Sequence, residues 1–150
     1  MIDRSTLLFF DASCLIAAAG SPTGGSGFLL SLCARKFLRG VVSQAVLLEA
    51  ERNVQAKLGE DALRQYHALL RLVPLRLVAV PPLSSAAPWR TIVNGKDAHV
   101  MTAALAAGAP FLLTLDKKLA EQVNQTGLLV QALSPGDFIR SVLPTHADYR

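Results

Sequence analysis

The stretch that decides the fold is DAHVMTAALAAGAPFLLTLD, residues 97–116. Small and apolar residues recur through its first half at helical spacing, and Gly108 followed by Pro110 predicts where this helix ends. Residues 111–115 form a largely apolar run, which is typical of a strand buried on both faces of a sheet. An aspartate stands at each end of this unit. A desolvated carboxylate needs a partner, so we expect a cationic group or ion beside Asp116.

The first strand repeats this pattern. Residues 6–10 (TLLFF) are another apolar run, and it ends at Asp11. Ser13 follows two residues later and is predicted to cap a short helix at residues 14–19. Each aspartate taken alone is explained by a helix terminus or a turn. The case for a functional site therefore depends on several acids meeting at one place.

Short apolar strands alternate with helices along the whole chain. This alternation predicts an α/β fold, a three-layer α/β/α sandwich with a mainly parallel central sheet, in a single domain of residues 1–150. Loops are predicted at residues 21–27 and 83–90. Strands are predicted at residues 6–10, 41–42, 75–80, 111–115 and 127–132, and helices at residues 14–19, 28–38, 44–58, 60–72, 97–108 and from 134 to about 143.

The composition indicates a folded chain without a membrane span. Hydrophobic residues make up 51% and charged residues 17%, which leaves little room for disorder. The net charge of +4 is compatible with a polyanionic partner. Cys14 and Cys33 do not form a metal-type pair and are expected to be buried thiols in a reducing compartment. Uncharged stretches at residues 12–34 and 100–115 are each interrupted by glycine and proline, so we expect a cytoplasmic protein.

Several acids are predicted to converge at one edge of the sheet. In a parallel sheet the functional crevice lies beyond the carboxyl ends of the strands. Asp11 and Asp116 follow strands, Asp97 begins the helix that leads into the second of them, and either Glu49 or Glu51 lies just beyond residues 41–42. Carboxylates held so close repel one another unless a cation is present. Oxygen ligands without histidine or cysteine favour Mg²⁺ or Mn²⁺.

These residues resemble the motifs of the PIN-domain nucleases, and the chain is most similar to the VapC-like toxin ribonucleases of type II toxin–antitoxin systems. The resemblance covers residues 7–143. Its most specific part is Thr114-Leu115-Asp116, nineteen residues beyond Asp97. The matching pieces are FDAS at residues 10–13, Ser43 with Glu49 six residues later, DAHVMTAA at residues 97–104 and FLLTLD at residues 111–116.

The resemblance implies a site and an activity. It favours Glu49 over Glu51 and implies that four acids bind the metal and catalyse cleavage. It implies Mg²⁺- or Mn²⁺-dependent hydrolysis of RNA phosphodiesters, a cognate antitoxin protein as partner, and a homodimer or higher oligomer. Ser13 and Thr114 would fix the acids or a water. The four acids are Asp11, Glu49, Asp97 and Asp116.

Three lysines near the predicted site have two interpretations. Lys96, Lys117 and Lys118 either attract the phosphates of an incoming RNA backbone or are ordinary solvated side chains. His99 is expected to be a surface or packing histidine, because ring nitrogens suit zinc better than magnesium.

Two other functions remain open at this point. One is phosphoryl transfer to an aspartate, although Asp11-Ala12-Ser13 lacks the second aspartate that dehalogenase-type enzymes use. The other is a catalytically silent PIN-like scaffold that binds RNA or a partner protein.

Overall fold

A five-stranded sheet, entirely parallel, forms the centre of the molecule. The computed structural model describes residues 1–80, 87–93 and 95–150, with the backbone alone at residue 96. The strands lie in the order β3-β2-β1-β4-β5. This arrangement confirms the predicted α/β sandwich with a parallel central sheet. The strands are β1 (Leu7–Phe10), β2 (Arg39–Val42), β3 (Arg76–Leu77), β4 (Phe111–Leu113) and β5 (Gln131–Leu133).

Seven helices accompany these strands within the described residues. Helices α1, α3 and α4 pack on one another, α2 packs on α1, and α6 packs on β5. The helices are α1 (Ala12–Gly20), α2 (Gly25–Ala34), α3 (Gln44–Leu58), α4 (Glu60–Leu72), α5 (Ala98–Ala107), α6 (Lys117–Gln125) and α7 (Pro135–Asp137). Helix α7 continues as a π-helical turn, Phe138–Val142, and a 3-10 turn, Leu143–Thr145.

The core lies where the central strands are covered on both faces. Leu8, Phe9 and Phe10 of β1 are fully buried, as are Leu112 and Leu113 of β4. A parallel strand flanked on both faces has no wet side, so its sequence is continuously apolar rather than alternating. The prediction that these two strands are buried on both faces is therefore confirmed.

Helices α3 and α4 have the predicted boundaries. Ser43 caps α3 as expected, since its hydroxyl accepts a hydrogen bond from the Val46 amide at 3.2 Å. Gly108 ends α5 with a φ of 67°, the left-handed conformation that glycine adopts readily. Ser134 caps α7 by accepting a hydrogen bond from the Asp137 amide, and Asp137 pairs with Arg140.

Helix α2 differs from the prediction. The loop predicted at residues 21–27 is shorter, because the helix already begins at Gly25, and it ends at Ala34 rather than Leu38. Lys36 lies beyond the helix with a φ of 61°. The Gly-Ser-Gly composition indicated a flexible connector, but these small residues serve close packing instead.

Strand ends and one helix also differ. β3 covers two residues instead of residues 75–80, β4 ends at Leu113 and β5 begins at Gln131, so each strand is shorter than its apolar run. β2 is longer and begins at Arg39. Helix α6 was not predicted, although it has a capping aspartate and two buried apolar residues one turn apart, Leu119 and Val123. The loop predicted at residues 83–90 falls partly outside the described residues, and Pro88–Thr91 forms a 3-10 turn.

Among the described residues, no single helix combines the length and apolar character needed to cross a membrane; α1 and α2 reach them only jointly, across a bend of 98°.

Both cysteines are buried free thiols. Burial raises the pKa of the Cys14 and Cys33 thiols to about 12. Both side chains are therefore protonated at neutral pH and act as small apolar residues in the core.

A testable consequence concerns the two glycines in the first turn of α2. A Cβ at Gly27 would lie 2.0 Å from the Pro22 carbonyl oxygen, whereas a Cβ at Gly25 would meet Pro135, Ile139 and Gly136 at ordinary contact distances. We expect Gly27→Ala to lower the free energy of unfolding by about 3 kcal/mol, because backbone must move. Gly25→Ala should leave it within about 0.5 kcal/mol. Urea unfolding of the two variants checks this, and equal losses would contradict it.

Candidate active site

The candidate site lies at the carboxyl edge of the sheet, where the strand order reverses. β1 has β2 on one side and β4 on the other. The chain fills one half of the sheet after β1 and returns to the other half through α5 and β4. In open parallel sheets this reversal leaves a crevice between the two halves. Here the crevice falls between the ends of β1 and β4, where Asp11 and Thr114 follow their strands.

Asp11 is the buried carboxylate of this crevice, with 6% of the residue exposed. Its Oδ1 accepts a hydrogen bond from the Ala12 amide at 2.8 Å. Its Oδ2 accepts from the Thr114 hydroxyl at 2.8 Å and from the Ser13 hydroxyl at 3.0 Å. These three donors offset the cost of burying the carboxylate and fix its orientation.

The two hydroxyls also hold the backbone beyond β4. The Ser13 Oγ accepts a hydrogen bond from the Leu115 amide at 3.0 Å, and the Thr114 Oγ1 accepts from the Asp116 amide at 3.1 Å. The prediction that Ser13 caps α1 was wrong. Asp11 is the N-cap, and Ser13 lies inside the helix with its hydroxyl directed back at Asp11.

Asp116 is the second acid of the crevice and is exposed. It caps α6, since its Oδ1 accepts a hydrogen bond from the Leu119 amide at 3.1 Å. The amino end of a helix favours negative charge, so the position suits an acid on structural grounds as well. Lys117 and Lys118 are the first two residues of α6 and are exposed beside it.

Helix α3 carries both candidate glutamates. Both Glu49 and Glu51 are partly buried. Glu51 lies 3.1 Å from Nε2 of His67, a contact between α3 and α4. Burial, together with the charge of Glu51, raises the pKa of neighbouring Tyr66 to about 12. Glu51 therefore has a structural partner, and the assignment of Glu49 to the site stays a prediction.

The first turn of α5 lies close to the end of β2. His99 and Ser43 line the same cleft, which has a volume of about 370 Å³ and is completed by the start of α3 and by residues 77–80. Asp97 precedes α5 and Glu49 lies one turn beyond the start of α3, so both belong to this region of the carboxyl edge. The Nδ1 atom of His99 is buried and has no hydrogen-bond partner. Sequence reasoning had not placed Ser43 or His99 in a common cleft.

The predicted residues thus lie at one edge of the sheet, but the described side chains do not form a closed metal site. Within the part of the chain that the structure describes, no three His, Cys, Asp or Glu side chains lie close enough together to hold one ion. Asp11 and the Thr114–Asp116 segment are directly linked, whereas Glu49 and Asp97 are placed by their helices. The side chain of Lys96 lies outside the described residues. The four-carboxylate site remains a prediction.

The hydroxyl of Thr114 offers a direct test of this network. Thr114→Val removes a donor to a buried carboxylate and an acceptor for the Asp116 amide, at nearly constant volume. We expect the free energy of unfolding to fall by about 2 kcal/mol. The matched control is Thr102→Val, whose hydroxyl only donates to Ala98 within its own helix and is expected to cost less than about 0.5 kcal/mol. Chemical denaturation measures the free energy of unfolding of both variants, and equal losses would refute the proposed contribution of the network to stability.

Comparison with known proteins agrees with this geometry. The family model described as "PIN domain" matches residues 8–118. No curated protein matches the chain. The crystal structure of PAE2754 from Pyrobaculum aerophilum is similar over 90% of this chain and 93% of its own, with a TM-score of 0.63 and 19% identity.

Two further solved structures share the fold. VapBC2 from Rickettsia felis, solved with a fragment of promoter DNA, is similar over 86% of this chain and 100% of its own, with a TM-score of 0.59 and 15% identity. VapC20 from Mycobacterium tuberculosis, described as a sarcin-ricin loop cleaving toxin, is similar over 76% of this chain and 93% of its own, with a TM-score of 0.55 and 20% identity. The family match covers most of the chain, from β1 to the start of α6, including the candidate crevice, and the chain therefore belongs to the PIN-domain family.

Proposed function

We propose that this protein is a metal-dependent endoribonuclease that hydrolyses RNA phosphodiesters, and that it is the toxin of a toxin–antitoxin pair. The observation that carries the proposal is the fixed Asp11 carboxylate, held by Ser13 and Thr114 across the crevice between β1 and β4. This crevice lies in a chain of the PIN-domain family. The arrangement supports a nuclease because it places an oriented acid at the reversal point of the sheet, where α/β proteins bind their ligands.

The donor atoms of the crevice suit a hard divalent cation. All four acids supply oxygen, which favours Mg²⁺ or Mn²⁺ over zinc. When bound, such an ion supplies an activated water and offsets charge on the phosphate. The residues that would hold it are Asp11, Glu49, Asp97 and Asp116.

The side chains around Asp11 argue against a covalent mechanism. The Ser13 hydroxyl donates to Asp11 and accepts from the Leu115 amide, and the Thr114 hydroxyl is engaged in the same way. The Cys14 thiol is buried, and its pKa of about 12 keeps it protonated. These groups orient the carboxylate and hold the backbone beyond β4, and we assign the attacking nucleophile to water.

The proposed partners follow from the charge of the crevice and from the family. Lys117 and Lys118 lie next to Asp116, where they would attract the RNA backbone, and Lys96 precedes Asp97 in the sequence. The description of VapC20 as a sarcin-ricin loop cleaving toxin supports an RNA substrate and a toxin role, and we expect a cognate antitoxin as the protein partner. A homodimer or higher oligomer and a cytoplasmic location complete the proposal.

Cleavage of a mixed pool of single-stranded and structured RNA tests the activity. The reactions contain Mg²⁺, Mn²⁺ or a chelator, with Asp97→Asn and Asp116→Asn as variants and Asp61→Asn as the matched control. We expect metal-dependent cleavage by the native chain and a loss of at least about 100-fold in both site variants, since several kcal/mol of transition-state stabilisation depend on the acids. Asparagine caps helices as well as aspartate does, so the fold at α6 is retained.

The control variant distinguishes the loss of a catalytic acid from the loss of any one negative charge. Asp61 is exposed and pairs with Arg64 on α4, so Asp61→Asn should cleave like the native chain. Cleavage that survives both site substitutions would refute the proposed site. Absence of cleavage with every RNA, in the presence of measurable Mn²⁺ binding, would favour the alternative of a catalytically silent scaffold.

The two glutamates of α3 give a second, paired test. Glu49→Gln and Glu51→Gln make the same chemical change two residues apart. We expect Glu49→Gln to lose cleavage by at least about 100-fold, whereas Glu51→Gln retains it and loses only the contact with His67. The ratio kcat/KM of each variant is measured in Mn²⁺. The opposite ranking would assign the metal site to Glu51.

A further inference from the structure

A second charged cleft lies at the opposite, amino edge of the sheet. It has a volume of about 480 Å³ and runs past the starts of β1, β2 and β3. We name it the amino-edge cleft, and it is lined by Arg4, Leu7, Cys33, Lys36, Leu38, Arg39, Gly40, Pro74, Leu75 and Arg76. Four of these ten residues are cationic and none is acidic.

The strand register brings two of the arginines together. Val41 of β2 pairs with Arg76 of β3, and Arg39 stands two residues before Val41 in the same strand. Side chains two residues apart in a strand share a face, as do paired residues on neighbouring strands. Arg39 and Arg76 therefore lie on one face of the sheet, at neighbouring positions, and both are exposed. Within the described residues, neither makes an ion pair.

Lys36 contributes the third cation from an unusual backbone position. It follows the C-cap of α2 with a φ of 61°. Its amide donates to the Cys33 carbonyl at 3.0 Å, and the Phe37 amide donates to the Leu32 carbonyl at 2.9 Å. This pair of bonds is the Schellman ending of a helix, in which glycine is the usual residue at this position. A lysine at this position is strained, because its Cβ atom disfavours the left-handed backbone conformation. Stability therefore does not explain why a lysine occupies the position.

Arg4 completes the cleft as an anchored cation. Its Nε donates to Asp148 Oδ2 at 2.8 Å, its Nη1 donates to the Lys36 carbonyl at 3.5 Å, and its guanidinium lies 5.5 Å from the centre of the Phe37 ring. The Asp148 carboxylate is thus paired with Arg4. The other three cations have no acidic partner among the described residues, so the cleft keeps an excess of positive charge.

We propose that the amino-edge cleft binds the phosphodiester backbone of single-stranded RNA and anchors substrate away from the cleavage site. Guanidinium groups match phosphate with paired N–H donors, and Arg39 and Arg76 present two of them side by side. The apolar floor of Leu7, Leu38 and Leu75 suits the sugars between phosphates. This inference deepens the proposed function and rests on it, because the anchored strand is the RNA to be cut.

The two edges are separated by the length of the strands. β2 spans four residues, so the Cα atoms of its ends are about 10 Å apart. Because helices cover the central strands, an RNA strand that reaches both edges must pass around the outside of the fold. Short RNA that fills only the carboxyl edge should therefore be cut equally well with or without the amino-edge cations, whereas longer RNA should bind more tightly when they are present.

Binding of labelled single-stranded RNA in chelator tests the proposal without any cleavage. The variant is Arg39→Gln/Arg76→Gln, and the matched control is Arg64→Gln/Arg71→Gln, which removes two exposed arginines from α4. We expect the first pair to weaken binding at least about tenfold at low salt, and to lower the slope of log K against log salt by about 1.4. The control pair should bind like the native chain. Equal losses in both pairs, or no loss in the first, would overturn the proposal.

Lys36→Gly supplies a readout that a structural role would not give. Glycine fits the left-handed position better than lysine does, so the melting temperature should stay the same or rise while RNA affinity falls. An unchanged affinity for RNA would overturn the role of Lys36.

Two competitors distinguish the class of ligand. Double-stranded DNA and polyglutamate are measured with the same variants. A loss confined to the DNA, or to polyglutamate, would overturn the assignment to RNA. Cleavage assays with metal run in parallel. If the arginine variant loses RNA binding but the native chain never cleaves RNA, the cleft is supported and the nuclease activity is refuted. If the native chain cleaves RNA but the variant still binds RNA like the native chain, the cleft alone is refuted.

Discussion

The structure depends on how one buried carboxylate is satisfied. Asp11 lies at the end of a fully buried strand, where an unpartnered carboxylate would strongly destabilise the fold. Its partners come from both sides of the crevice: Ser13 from its own helix and Thr114 from the end of β4. The same two hydroxyls then receive the amides of residues 115 and 116. A single acid therefore fixes how the two halves of the sheet meet and where the next acid, Asp116, is placed.

Structural roles and proposed chemical roles coincide in these acids. Asp11 and Asp116 are both N-caps, of α1 and α6, and Ser43 and Ser134 cap α3 and α7 at the same edge. Four helices thus direct their amino ends toward one region, where free amides and helix dipoles favour negative charge. This field allows acids to gather at the carboxyl edge, and it would also favour the phosphate of a substrate. The capping role accounts structurally for Asp11 and Asp116, and it does not compete with the proposed functional role.

The sequence predicted local features of the fold well. Helix α3 agreed at both ends because Ser43 caps it and its apolar residues recur at helical spacing, and the parallel sheet followed from continuously apolar strands. Helix α2 was misplaced because Gly25 and Gly27 indicate a loop by composition, whereas the close approach of the Pro22 carbonyl explains Gly27 only once the packing is known.

For the candidate site, the sequence predicted only the order of the acidic residues along the chain and not the contacts between side chains. The hydrogen bond from Thr114 to Asp11 joins positions 103 residues apart, and no local pattern indicates it. The choice between the two glutamates of α3 stays a prediction. Glu51 is distinguished by its contact with His67 on the next helix, which periodicity alone does not reveal.

The net charge of +4 includes a group of cations at the amino edge of the sheet. The predicted site acids belong to the carboxyl edge, and Arg4, Lys36, Arg39 and Arg76 line the cleft at the amino edge. A polyanion near the acids alone would be repelled until a cation neutralises them. Cations at the far edge hold the same polyanion through other phosphates, without adding ligands that compete at the site. In the proposed nuclease, separate edges would therefore allow one chain both to attract RNA and to keep an acidic centre for hydrolysis.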